Sequence, residues 1–147
     1  MLYQTETKYK LELDEVKFEG IMDRIDKNPD GTYSIIDYKT GSAKSAKIIC
    51  PNGEHEDYYN QIVLYKYYFE KATGEKVKET TFIFPEEFEK NLTLQITEEE
   101  CEAVVEKFKT AIQSIKQYKF EPIQNRDKNK RPCQYCQYKD FCNLEII

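Results

Sequence analysis

Three charged residues in the first third of the chain have types and spacing that suit hydrolytic chemistry. Asp37 and Lys39 stand two positions apart in "SIIDYKTG", Ser34 to Gly41, whose apolar residues read as an interior strand. Side chains alternate between the faces of a strand, so this carboxylate and this ammonium point the same way while Ile36 and Tyr38 point the other. The preceding strand ends "GIMDRID", Gly20 to Asp26. A turn at "KNPDGT", Lys27 to Thr32, carries Pro, Asp and Gly in turn order and closes a hairpin that sets Asp23 beside Asp37. Two carboxylates that close repel unless a positive charge lies between them. A divalent cation meets that need, and hard oxygen ligands suit Mg2+ or Mn2+ better than zinc. Lys39 would border the ion and hold or deprotonate a water there. A metal, a positioned water and a cationic side chain are what phosphodiester hydrolysis needs. Taken alone, D-x-K on a strand describes equally a solvated face or an ordinary ion pair. Arg24 and Asp26 read at least as readily as a surface pair.

The elements that must hold these residues follow from periodicity. Tyr9 to Met22, "YKLELDEVKFEGIM", alternates apolar and polar residues about a central "DE" and predicts two strands with a tight turn. Asp57 to Ala72 predicts a helix with an apolar stripe of Ile62, Tyr65, Phe69 and Ala72. Val77 to Phe84 and Leu92 to Ile96 predict two more strands. Thr97 with Glu100 three residues on is a capping box, and Val104, Val105, Phe108, Ile112 and Ile115 continue at helical spacing to fade near Tyr118. Strands, helix, strands, helix imply an α/β fold, one mixed central sheet flanked by helices.

A chain of 147 residues, 39% hydrophobic, has enough apolar content to bury a core. The formal net charge of -5 excludes a surface that is basic throughout, though not a local basic site. From Lys116 onward seven Lys and Arg face four Asp and Glu, including "KNKRP" at Lys128 to Pro132. No apolar run approaches the ~20 residues that span a bilayer, and "MLYQTETKYK" is no secretory signal, so the expected address is cytoplasmic, without membrane partners. Cysteines in such a setting act as thiols or metal ligands more often than as disulfides. Cys133, Cys136 and Cys142 form C-x2-C-x5-C, whose first spacing is that of a metal chelate and by itself suggests half a zinc site.

"GIMDRID", "IIDYKTG" and then "QIVLY", Gln61 to Tyr65, together resemble the nuclease domain of the RecB/AddB/Cas4 branch of the PD-(D/E)XK superfamily. The resemblance runs from about Glu6 to Cys142. It implies a restriction-endonuclease-like fold and an Mg2+- or Mn2+-dependent, exonuclease-like deoxyribonuclease acting in DNA end processing or repair. In its terms Asp23, Asp37 and the backbone carbonyl of Tyr38 ligate the metal, and Lys39 orients the attacking water. Gln61 and Tyr65 match its Q-x-x-x-Y element; spaced by four, they share one helix face. Tyr65 also reads as core, given its place in the apolar stripe. Thr40 and Gly41 fit the turn after the lysine.

The same resemblance implies a [4Fe-4S] cluster on Cys133, Cys136 and Cys142 with a fourth cysteine ahead of the core, and no cysteine precedes this one. Cys50, Cys101 and His55 are the remaining candidates, Cys101 reading as core and Cys50 as loop. Related domains also carry an upstream helix bearing a His or Glu. The expected organisation is therefore a nuclease core over 1–120, lacking that N-terminal helical region, and a cysteine tail over 121–147 packing on it. Such a chain would be the C-terminal part of a helicase–nuclease, partnered by DNA and a helicase domain or subunit. On that expectation the isolated piece is weakly active or inactive and does not assemble the cluster. Two other readings compete: an inactive DNA-binding module stapled by iron–sulfur or zinc, and a zinc-ribbon-like interaction domain.

Overall fold

Asp14 and Glu15 both adopt positive φ, 47° and 68°. That is the conformation a two-residue hairpin needs to follow the twist of its strands. They join β1 (Leu2–Leu13) to β2 (Val16–Lys27), paired antiparallel from Leu13↔Val16 outward. The computed structural model describes residues 1–119 and 133–138. β1 begins at Leu2 rather than at the predicted Tyr9, because the early, weakly alternating residues find partners as far as Asp26.

The second turn falls where "KNPDGT" predicts it. Gly31 takes φ 87°, its amide bonds the Asn28 carbonyl at 3.0 Å, and Asp30 accepts from the Thr32 amide at 3.1 Å. β3 (Tyr33–Tyr38) follows, antiparallel to β2. Its other neighbour, β4 (Val77–Ile83), runs parallel to it, so the connection must cross over, and α1 (Glu56–Thr73) is that crossover. Gly74, at φ 73°, closes α1 with a left-handed cap. β5 (Leu92–Leu94) completes a five-stranded mixed sheet in the order β1-β2-β3-β4-β5.

Ile35, Ile62, Val63, Phe69 and Phe82 are fully buried where α1 lies on the sheet. Ala72, expected in the apolar stripe, is exposed because α1 outruns the strands beneath it. α2 (Glu98–Lys116) starts at the predicted capping box: the Thr97 amide donates to Glu100 Oε2 at 2.8 Å, and the Glu100 amide to Thr97 Oγ1 at 3.2 Å. Val104, Val105 and Ile112 are buried, as is Cys101, whereas Ile115 is 59% exposed. Among the described residues no helix is long and apolar enough to cross a membrane.

The chain divides into two compact units, Met1–Ile112 and Gln113–Ile147. The described part of the second contains the end of α2 and a single 3-10 turn, Cys133–Tyr135, in which the Cys136 amide bonds the Cys133 carbonyl at 3.1 Å. Cys142 and the basic "KNKRP" lie outside the described residues.

Candidate active site

β3 is apolar at one end and charged at the other. Tyr33 and Ile35 face α1, with the Tyr33 ring 5.0 Å from that of Phe69, and Asp37 follows on the same face, 3% exposed. On the opposite face the Arg24 guanidinium donates twice to Asp26, at 2.9 and 2.7 Å, and reaches the Tyr38 hydroxyl at 3.4 Å. Arg24 and Asp26 thus form the expected surface pair, away from Asp37.

Asp23 is brought to Asp37 by the antiparallel register of β2 and β3. Met22 and Ile25 are both fully buried, a spacing of three that strict alternation on one face does not give. The residue of β1 between the pairs Thr5↔Arg24 and Thr7↔Met22 is Glu6, which takes φ 47°. Arg24 pairs with Ile36, so Asp23 falls opposite Asp37, and its Oδ2 accepts the Tyr38 amide at 2.9 Å. The Tyr38 side chain lies on the far face, which leaves its backbone at the site.

Lys39 extends β3 by one bond, its amide donating to the Ile83 carbonyl at 2.9 Å. Its Nζ stands 2.8 Å from Asp37 Oδ2 and donates to Gln61 Oε1 at 2.6 Å. The contact with Asp37 is an ion pair without hydrogen-bond alignment, and Oδ2 is a buried oxygen with no hydrogen bond. Gln61 Nε2 in turn donates to the Tyr65 hydroxyl at 3.0 Å. One helix face therefore continues the row Asp37, Lys39, Gln61, Tyr65, as the spacing predicts. Tyr65 is core and also the end of this row: it is 8% exposed, and its ring lies against Gly20, where a Cβ would meet Cε1 at 3.1 Å.

Burial raises the Asp37 carboxyl pKa above the ordinary range, the Lys39 ammonium opposes the rise, and the nearby Asp23 charge adds to it. Burial likewise raises Tyr65, with Asp37 and Asp23 contributing in the same direction. These mutual effects place both carboxylates and the tyrosine within one electrostatic neighbourhood.

Among the described residues no third carboxylate, histidine or cysteine joins Asp23 and Asp37 in a metal-binding group. Mg2+ commonly takes only one or two protein carboxylates and keeps several waters. A repelling carboxylate pair, one member with an unbonded buried oxygen, fits such an ion, with the Tyr38 carbonyl as a further hard donor. Cys101 is 5% exposed and its thiol is pushed by burial up to about 11, which marks it as core. Cys133 and Cys136 are half-buried free thiols on one turn.

Sequence reasoning missed one residue here. The Lys39 Nζ lies 4.6 Å from the centre of the Tyr58 ring and 5.9 Å from that of Phe82. Tyr58, Gln61 and Tyr65 follow one another at steps of three and four, so the helical stripe itself was the available signal.

The fold and this arrangement agree with what the sequence matches. The model of the PD-(D/E)XK nuclease superfamily matches residues 2–143, and the chain belongs to that superfamily. Among solved structures, a "Putative exonuclease" from Eubacterium rectale is 18% identical with a TM-score of 0.53, over 89% of this chain and 51% of that one. SSO0001 is 18% identical with a TM-score of 0.51, over 98% of this chain and 62% of its own. The chain therefore spans less than two thirds of either, and at this identity the likeness is one of fold. No curated protein matches it.

Proposed function

We propose that the chain is a divalent-metal-dependent DNA nuclease domain of the RecB/AddB/Cas4 branch. The observation that carries this is the unbroken row from Asp37 through Lys39 and Gln61 to Tyr65, with Asp23 facing Asp37. Asp23, Asp37 and the Tyr38 carbonyl would hold Mg2+ or Mn2+. The bound ion would supply charge neutralisation at the scissile phosphate and acidify a water.

The remaining steps belong to the protein's own groups. Asp37 fixes the Lys39 ammonium from one side and Gln61 from the other, so Lys39 is aimed before substrate arrives. Its charge stabilises the negative charge that builds on the phosphate as water attacks. Gln61 spends its oxygen on Lys39 and its amide on Tyr65, which locks its orientation. In this reading the substrate is DNA, cut exonuclease-like during end processing or repair, with a helicase domain or subunit as partner in the cytoplasm. Cys133 and Cys136, with Cys142, would contribute ligands to an iron–sulfur staple.

Cleavage of linear DNA with Mg2+ or Mn2+, comparing the parent with Asp37→Ala and Lys39→Ala, tests the reading. Parent activity that both substitutions abolish supports it. Equal residual cleavage in all three removes it.

A further inference from the structure

The Lys39 ammonium has three N–H groups to place. One is donated to Gln61 Oε1 at 2.6 Å, and Asp37 Oδ2 lies at 2.8 Å as an ion-pair partner. On another side is the π face of Tyr58, 4.6 Å to the centroid, with Phe82 at 5.9 Å. A cation at that distance over an aromatic face is attracted by the ring quadrupole, more so where water is excluded. The Lys39 side chain is only 16% exposed, so little water competes.

The ring is itself held in place. His55 stacks on Tyr58 at 5.0 Å and 30°, and Phe82 packs at 6.0 Å and 34°. The Tyr58 hydroxyl makes no hydrogen bond among the described residues, so the ring face, not the hydroxyl, is what the site uses. A merely structural tyrosine would present its face to apolar neighbours, whereas this one presents it to an ammonium.

We infer that Tyr58 is a positioning residue for Lys39. The inference rests on the proposed nuclease reading in one respect: Asp37 is asked to serve both a dication and Lys39. Contacts that Lys39 does not share with the ion must then keep it aimed, and Gln61 and Tyr58 provide them. Gln61 fixes one direction, and the ring closes the side on which the flexible four-carbon stem could otherwise swing out.

The experiment uses the full 147-residue chain with Tyr58→Phe, Tyr58→Trp and Tyr58→Leu. In 15N-labelled protein without metal or DNA, the Lys39 ammonium protons, assigned by their loss in Lys39→Met, should be shifted upfield by the ring current. The shift should persist in Tyr58→Phe and Tyr58→Trp and vanish in Tyr58→Leu. In cleavage assays Tyr58→Leu should lower kcat by about tenfold with KM for DNA unchanged, and Tyr58→Phe should match the parent. An unshifted ammonium in the parent, or a kcat in Tyr58→Leu equal to that of an active parent, overturns the inference. A parent that cuts nothing refutes the nuclease reading instead, and the ammonium shift still decides the role of Tyr58.

Discussion

Lys39→Met removes one charge of a buried pair and leaves the stem to pack on Tyr58 and Phe82. At 2.8 Å the attraction between Lys39 and Asp37 is about 6 kcal/mol for an effective dielectric of about 20. Desolvation offsets part of this, and breaking such a pair destabilises by about 3 kcal/mol because a buried carboxylate is left unpaired. For a chain of this size that corresponds to a fall in Tm of about 10 °C near neutral pH without metal. The pH dependence has a definite sign. Burial already raises the Asp37 pKa, and loss of the opposing Lys39 raises it further. A carboxyl raised in the folded state contributes stability fully below its unfolded pKa of about 4, and loses it as pH rises through the folded value. The deficit of Lys39→Met should therefore be near zero at about pH 4 and grow toward neutrality. Adding Asp37→Asn should recover most of it at neutral pH. Mg2+ should raise the Tm of the single variant too, by binding the folded state. Thermal unfolding followed by circular dichroism, with chelator and then with Mg2+, measures all of this. A Lys39→Met protein that unfolds with the parent at neutral pH, or loses as much at low pH, would refute the buried-pair account.

Gly20→Ala puts a Cβ 3.1 Å from Tyr65 Cε1, so the ring must shift. Stability should fall by about 1 kcal/mol and cleavage several-fold as the Tyr65–Gln61 bond loosens, both readable in one purified variant. Burial pushes Tyr68 up to about 12 and raises Tyr59 further. Their protonated forms stabilise the fold below about pH 10, and that contribution is lost as pH rises through the folded values; a titration of unfolding above pH 9 should be flattened by Tyr68→Phe. At pH 8 a thiol reagent should label half-exposed Cys50 in the native protein and Cys101 only after unfolding, as peptide mapping would reveal. Thr97→Ala removes one half of the capping box and should cost about 1 kcal/mol in denaturant unfolding.

What could be read from the sequence is what local chemistry decides. Asp14–Glu15 between alternating strands, Pro29 to Gly31, and Thr97 with Glu100 are short-range signals, and each marks a turn or cap in the structure. The pair Asp37 and Lys39 was legible because strand alternation alone puts both on one face. The joint burial of Met22 and Ile25 and the positive φ of Glu6 across from Asp23 were not, since neither follows from local pattern. Nor was Ile49, 1% exposed within an aperiodic loop, whose burial depends on tertiary packing. Tyr58 was missed for a different reason: its helical spacing to Gln61 and Tyr65 can be seen in the sequence, but what its ring face meets depends on the position of Lys39.

The same strand explains how the fold tolerates the charges. Parallel pairing of β3 and β4 forces α1 to return over the sheet, so the part of it that carries Tyr58, Gln61 and Tyr65 comes down on the carboxyl end of β3. Crevices at that end of open α/β sheets are where such folds place ligands. At the other end of β3, Tyr33 packs between Tyr3, at 5.1 Å, and Phe69, at 5.0 Å, and Tyr9 reaches Phe69 at 6.0 Å. Aromatic burial of this kind contributes several kcal/mol per ring set, about what an unmetallated carboxylate pair would cost. The anchor and the charges are four residues apart on one face, from Tyr33 to Asp37, so the strand cannot slip in register to relieve the repulsion without pulling its aromatic end out of the core. The Lys39 ammonium and the Tyr38 amide offset part of that repulsion; the dication proposed above would offset more of it, which ties the architecture of the sheet to the chemistry proposed for the carboxyl end of its central strand.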